Sequence, residues 1–172
     1  ENMTNDEEQG FIAYYILSGL SIACNLLILC LLFFQKKGLH TPFIILISIL
    51  HFSNTCEEIL LIPFIYKGST GLCEAVESFK YYFGLMNVFS IFFLIQAYRL
   101  TIFNNVQSFS PSIKSIVYFM VFIFPLVSFL PYSDGSYQMP STPWCSMPVD
   151  KSNFGWAFAI QYFWVWLVLI LC

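Results

Sequence analysis

Glu57 and Glu58 are adjacent carboxylates in a stretch, residues 43–66, that is otherwise dominated by apolar side chains. A charge at mid-membrane costs about 2.5–3.5 kcal/mol on insertion scales, so intramembrane acids face a bundle interior or water. A carboxylate so placed can bind a cationic group, close an ion pair or relay a proton. Glu58 precedes Tyr66 by roughly 12 Å of helix at 1.5 Å per residue. Neighbouring helical positions point about 100° apart, so the spacing predicts that only one of the two acids faces the interior. One reading is a ligand-pocket or ion-pair carboxylate. The other is a structural polar pair near the interface, partly protonated. Lys80 is the expected cation, either for Glu58 or for Glu77 one turn before it.

Further polar residues interrupt the apolar runs. Asn25 and His51 lie at similar depth and are placed to bond across the first two spans. Asn87 and Gln96 lie near one face of the third span and suit interhelical hydrogen bonds. Arg99 ends that span, where it either snorkels to headgroups or faces a cytoplasmic cleft. Pro63 and Pro125 fall inside spans and predict kinks. The aromatic group Tyr162, Phe163, Trp164 and Trp166 either lines a pocket or faces lipid.

The elements that must position these residues are long and apolar. Five such stretches, at about residues 11–34, 43–66, 76–103, 113–131 and 154–172, fill most of the 172-residue chain. A helix crossing the hydrocarbon core needs about 20 apolar residues. The expected fold is an all-α transmembrane bundle over residues 11–172, with residues 1–10 as an extracellular N-terminus. The composition agrees, at 58% hydrophobic and 10% charged, far from an average soluble domain. The chain does not start with Met and ends inside an apolar run at Cys172, so further spans are expected in the full protein.

Charge sets the expected orientation. Residues 1–10 carry Glu1, Asp6, Glu7 and Glu8 and no base, whereas the first loop carries Lys36 and Lys37 and no acid. The positive-inside rule then puts that loop in the cytoplasm and the N-terminus outside. Lys114 and Arg99 flank the next inner segment, and with Lys36, Lys37 and His40 they make a small basic face suited to anionic lipid. Asn2-Met3-Thr4 matches an N-glycosylation acceptor on the outer side. Of the six cysteines, Cys73 and Cys145 fall in expected outer segments, where oxidation is favoured. A bridge between them would pin the outer loop over the bundle; two free thiols are the alternative.

This outline resembles that of G-protein-coupled receptors: an outer N-terminus, a short basic first inner loop, Cys73 at the top of the third span and Cys145 in the second outer loop. Trp144-Cys145, followed by Phe154, Trp156 and Phe158, is similar to the slime-mould cyclic-AMP-type and secretin-like receptors. The resemblance spans the whole chain as the first five of seven helices. It implies a Cys73–Cys145 disulfide, an extracellular ligand met by Glu57, Glu58, Lys80 and Trp144, and a heterotrimeric G protein met by Lys36, Lys37, Arg99 and Lys114. It also implies a plasma-membrane location. The run Tyr98-Arg99-Leu100 lacks the acid that precedes Arg in rhodopsin-type receptors, which leans away from that class.

No Walker loop, nucleophile elbow, dinucleotide turn or nucleic-acid patch appears, and two histidines without ligand spacing offer no metal centre. The expectation is therefore a receptor, with no enzymatic activity and no cofactor. The alternative is part of a transporter or channel that uses an intramembrane carboxylate. Non-reducing peptide mapping of the full-length protein is expected to recover Cys73 and Cys145 in one linked peptide. Recovery of both as separately alkylated thiols would count against the pairing.

Overall fold

The computed structural model describes residues 5–34, 42–60, 70–104, 109–130, 155 and 158–171. Every element among these residues is helical. We label the helices α1 (Asn5–Phe34), α2 (Pro42–Leu60), α3 (Thr70–Asn104), α4 (Pro111–Tyr118) and α5 (Phe163–Leu171). A π-helical turn, Phe119–Ile123, and a 3-10 segment, Phe124–Phe129, continue α4. A second π turn, Phe158–Tyr162, leads into α5.

Four helical stretches among the described residues are long and apolar enough to cross a membrane: Ile12–Phe34, Pro42–Leu60, Glu74–Phe103 and Pro111–Phe129. The fifth expected span is described over residues 155 and 158–171. α1 starts earlier than its apolar run predicts. Asp6, Glu7 and Glu8 fall within its first turns. Residues 5–10 are thus helical and continuous with the first span. α3 likewise begins before the expected start at residue 76, with Glu74 already inside the helix. Its 35 residues reach about 52 Å, well over a 30 Å hydrocarbon core, so α3 must tilt or project from it.

The distribution of polarity is inverted relative to a soluble protein. Ser18, Asn25, Ser53, Thr55, Glu77, Ser78, Asn87, Ser90 and Ser128 are buried, while Leu17, Leu27, Phe34, Phe103 and Ile170 are exposed. Water would penalise such an apolar surface. Lipid does not, and in lipid it is the polar groups that need each other. The chain is accordingly a membrane-embedded helical protein.

α3 lies at the centre of the packing. It touches α2, the π and 3-10 continuation of α4, and α5 with its π turn; α1 packs on α2. Phe89 of α3, Phe124 and Trp164 form a ring triad with centroids 5.5, 5.3 and 4.7 Å apart. Trp164 therefore points inward and fixes α5 to the bundle, whereas Trp166 and Tyr162 are exposed. Edge-to-face ring pairs of this kind contribute about 0.5–1.5 kcal/mol each beyond area burial.

The fourth span starts cleanly. The Ser110 hydroxyl accepts from the Ile113 amide and Pro111 fills the first helical turn, as an N-terminal cap requires. It then changes ladder at Pro125, which has no amide hydrogen and whose ring would strike the carbonyl four residues back. The Phe124 amide reaches five residues back to the Phe119 carbonyl, and the chain then tightens to a 3-10 turn. In the rearranged stretch the Phe122 carbonyl accepts the Tyr82 hydroxyl at 3.1 Å. Further along, the buried Ser128 hydroxyl donates to the Ser78 carbonyl at 3.1 Å. These small side chains let the two backbones approach. Pro63, the other expected kink, lies outside the described residues.

Ser128→Ala should cost little, about 0.6 kcal/mol, the average for an interhelical hydrogen bond in a membrane protein. Ser128→Leu should cost more, about 1–3 kcal/mol, by overpacking. Steric-trap unfolding in bicelles measures both, and equal effects would contradict the close-approach account.

Candidate functional site

The polar residues of α2 divide between its two neighbours. Glu58 accepts the Ser18 hydroxyl of α1 at 2.9 Å. About two turns back along α2, His51 Nδ1 meets Asn25 Oδ1 of α1 at 2.6 Å. Asn25 Nδ2 also reaches Ser21 Oγ at 3.5 Å. Moving forward along α1 is thus moving backward along α2, and the two helices are antiparallel. The Asn25–His51 contact expected from matching depth is present.

On the other side of α2, three residues converge on Asn87 of α3. Its Nδ2 donates to Asn54 Oδ1 at 2.7 Å and to Glu57 Oε2 at 2.9 Å, while its Oδ1 accepts the Ser53 hydroxyl. A primary amide has two donors and a carbonyl acceptor, so Asn87 is engaged at both ends. It is buried, and α2 presents Ser53, Asn54 and Glu57 within about one turn of helix. This clasp holds one carboxylate oxygen of Glu57 and leaves Oε1 turned toward α3. There it stands over Gly84, where a Cβ would meet Oε1 at 3.8 Å, an ordinary van der Waals contact.

Both acids of the pair therefore have partners, contrary to the expectation that only one faces the interior. The reason is geometric. Positions about 100° apart can address different neighbours when a helix lies between two others. α2 does so, with α1 on one side and α3 on the other.

Lys80 bonds both oxygens of Glu77 on its own helix, at 2.8 and 3.0 Å. Glu77 is 1% exposed and Lys80 retains a partly open side chain. The pairing with Glu77 is thus present, while among the described residues Lys80 forms no ion pair with Glu57 or Glu58. A neighbour one turn away on the same helix needs no interhelical reach, and burial makes Glu77 the acid most in need of a counter-charge.

Glu57, Lys80, Tyr81, Gly84, Leu85, Val88 and Val165 line a cleft of about 230 Å³ between α2, α3 and α5. The expected ligand-site residues Glu57 and Lys80 thus come together. Glu58 does not join them, because it turns to Ser18. Asn87 makes the interhelical hydrogen bonds its position predicts and shapes the site as well, whereas Gly84 carries no signal in the local sequence. Trp144, Cys145, Asn2, Lys36 and Lys37 lie outside the described residues, as does the side chain of Cys73. Arg99 and Lys114 are exposed, at the ends of α3 and α4 remote from Glu57. No group of three or more metal-ligating side chains occurs among the described residues.

No protein-family model matches the chain. No curated protein matches it either.

Asn87→Leu removes every partner of the clasp at once and should destabilise the bundle by about 1–3 kcal/mol per polar group left unsatisfied. Glu58→Gln should be nearly silent, since an amide oxygen can still accept from Ser18. Unfolding in bicelles reads both, and an unaffected Asn87→Leu variant would contradict the clasp.

Proposed function

We propose that this protein is a cell-surface receptor of the G-protein-coupled kind, in which an extracellular ligand enters the Glu57–Lys80 cleft and a heterotrimeric G protein meets the opposite face. The observation that carries this reading is the cleft itself. It combines a carboxylate, an ammonium and apolar walls at one end of a membrane bundle, the mix by which small-molecule sites fix orientation. Three features support it. Residues 1–10 are acidic and the first loop is basic, which favours an outer N-terminus. Among the described elements α3 contacts the most neighbours, so a change at the cleft reaches α2, the continuation of α4, and α5 together. Arg99 sits exposed near the far end of that same helix. In this reading the chain supplies the first five of seven spans, Cys73 and Cys145 are bridged, Asn2 carries glycan, and Trp144 contributes to ligand binding.

The expected mechanism is a shift between two bundle arrangements that differ in affinity for the ligand and for the G protein. Lys36, Lys37, Arg99 and Lys114 form the inner face. In the full-length protein Arg99→Ala should preserve ligand binding and lower ligand-stimulated nucleotide exchange on the G protein. Unchanged exchange would reduce Arg99 to an interfacial anchor. Ligand transport by purified protein in vesicles, without exchange, would replace the receptor by the transporter or channel alternative.

A further inference from the structure

We infer that the cleft between α2, α3 and α5 selects a small organic ammonium ion, held by the free carboxylate oxygen of Glu57; this rests on the reading of that cleft as the ligand site. The cleft holds two charged side chains with different freedom. Lys80 is occupied, its ammonium lying 2.8 and 3.0 Å from the two oxygens of Glu77. Glu57 is occupied on one side only. Asn87 holds Oε2 at 2.9 Å, and Oε1 lies over Gly84, a residue that lines the cleft. Lys80 is bonded to Glu77, so the acidic group with an oxygen left for a ligand in this cleft is Glu57.

The rest of the lining decides what kind of cation fits. Beside Glu57 and Lys80 it is Tyr81, Gly84, Leu85, Val88 and Val165. A bare metal ion requires about six oxygen ligands, and these apolar side chains do not supply them. An alkylammonium needs one anionic contact and an apolar surface for its carbon body, which Leu85, Val88 and Val165 provide. A volume of about 230 Å³ lies below the 300–1,000 Å³ typical of drug-sized ligands, which restricts the guest to a few carbons around the nitrogen. Gly84 is the size filter. A larger side chain at this position would occupy the space in front of Oε1.

Saturation-transfer NMR on the full-length protein in nanodiscs tests this with two probes of similar shape, tetramethylammonium and neutral tert-butanol. The expected result is saturable transfer to tetramethylammonium only, with affinity at least tenfold weaker in Glu57→Gln. Gly84→Leu should abolish the transfer while leaving the carboxylate in place, and it keeps the test decisive where Glu57→Gln does not fold. Equal transfer to both probes, or undiminished affinity in both variants, would overturn the inference. Displacement of tetramethylammonium by equimolar sodium would overturn it in favour of a metal site. Nucleotide exchange on a G protein separates this claim from the receptor reading. Exchange driven only by an anionic ligand would sink the ammonium and keep the receptor. Ammonium binding in a protein that drives no exchange with any ligand would do the reverse.

Discussion

A polar group in hydrocarbon has no water to fall back on, and the arrangement of this protein follows from that constraint. The apolar side chains that fold a soluble protein gain little here by leaving lipid for a neighbouring helix. What distinguishes one helix face from another is where its amides, hydroxyls and carboxylates find partners. Asn87 is the point at which this is most concentrated. Through one side chain it joins Ser53, Asn54 and Glu57, and so fixes the rotation and depth of α2 against α3. The same requirement on the other face of α2 joins Glu58 to Ser18 and His51 to Asn25. α2 is held in register from both sides by pairs that only one alignment satisfies.

Much of this was legible from residue type and depth. Asn25 and His51 are polar residues equally far into adjacent antiparallel spans, and a shared depth is all that a cross-helix bond needs. The helices themselves follow from hydropathy, and the chain's inverted polarity from composition. The Glu57–Glu58 pair was recognisable as a site, but its division between two helices was not. That depends on α2 lying between α1 and α3, which is a property of packing and not of the local sequence. Lys80 was a correct cation with two candidate acids, and proximity along its own helix decided for Glu77. The role of Gly84 was invisible, because a glycine in a long apolar helix carries no sign of what stands opposite it.

The fourth span shows the same division between local and global information. Pro125 announces a disturbance in the ladder. That the disturbance takes the form of a π turn followed by a 3-10 turn depends on what α3 offers, including the Tyr82 hydroxyl at the Phe122 carbonyl. π turns and helix irregularities concentrate where a protein uses its backbone for more than spanning. Here the irregular stretch carries Phe124 into the ring triad with Phe89 and Trp164, and so connects the position of α5 to that of α3. The cleft lies between those same two helices and α2, and its shape therefore depends on both the clasp and the ring triad.

The contact of Glu57 with Asn87 holds α2 to α3 and leaves the second carboxylate oxygen over Gly84 at the cleft. A double-mutant cycle on Glu57→Ala and Asn87→Ala, read as unfolding free energy in bicelles, isolates that contact from the rest of the bundle. A coupling energy of about 0.6 kcal/mol, and at most about 1.7 kcal/mol, is expected, the mean and the maximum for interhelical polar pairs in membranes. Additive effects, with a coupling of zero within error, would contradict it.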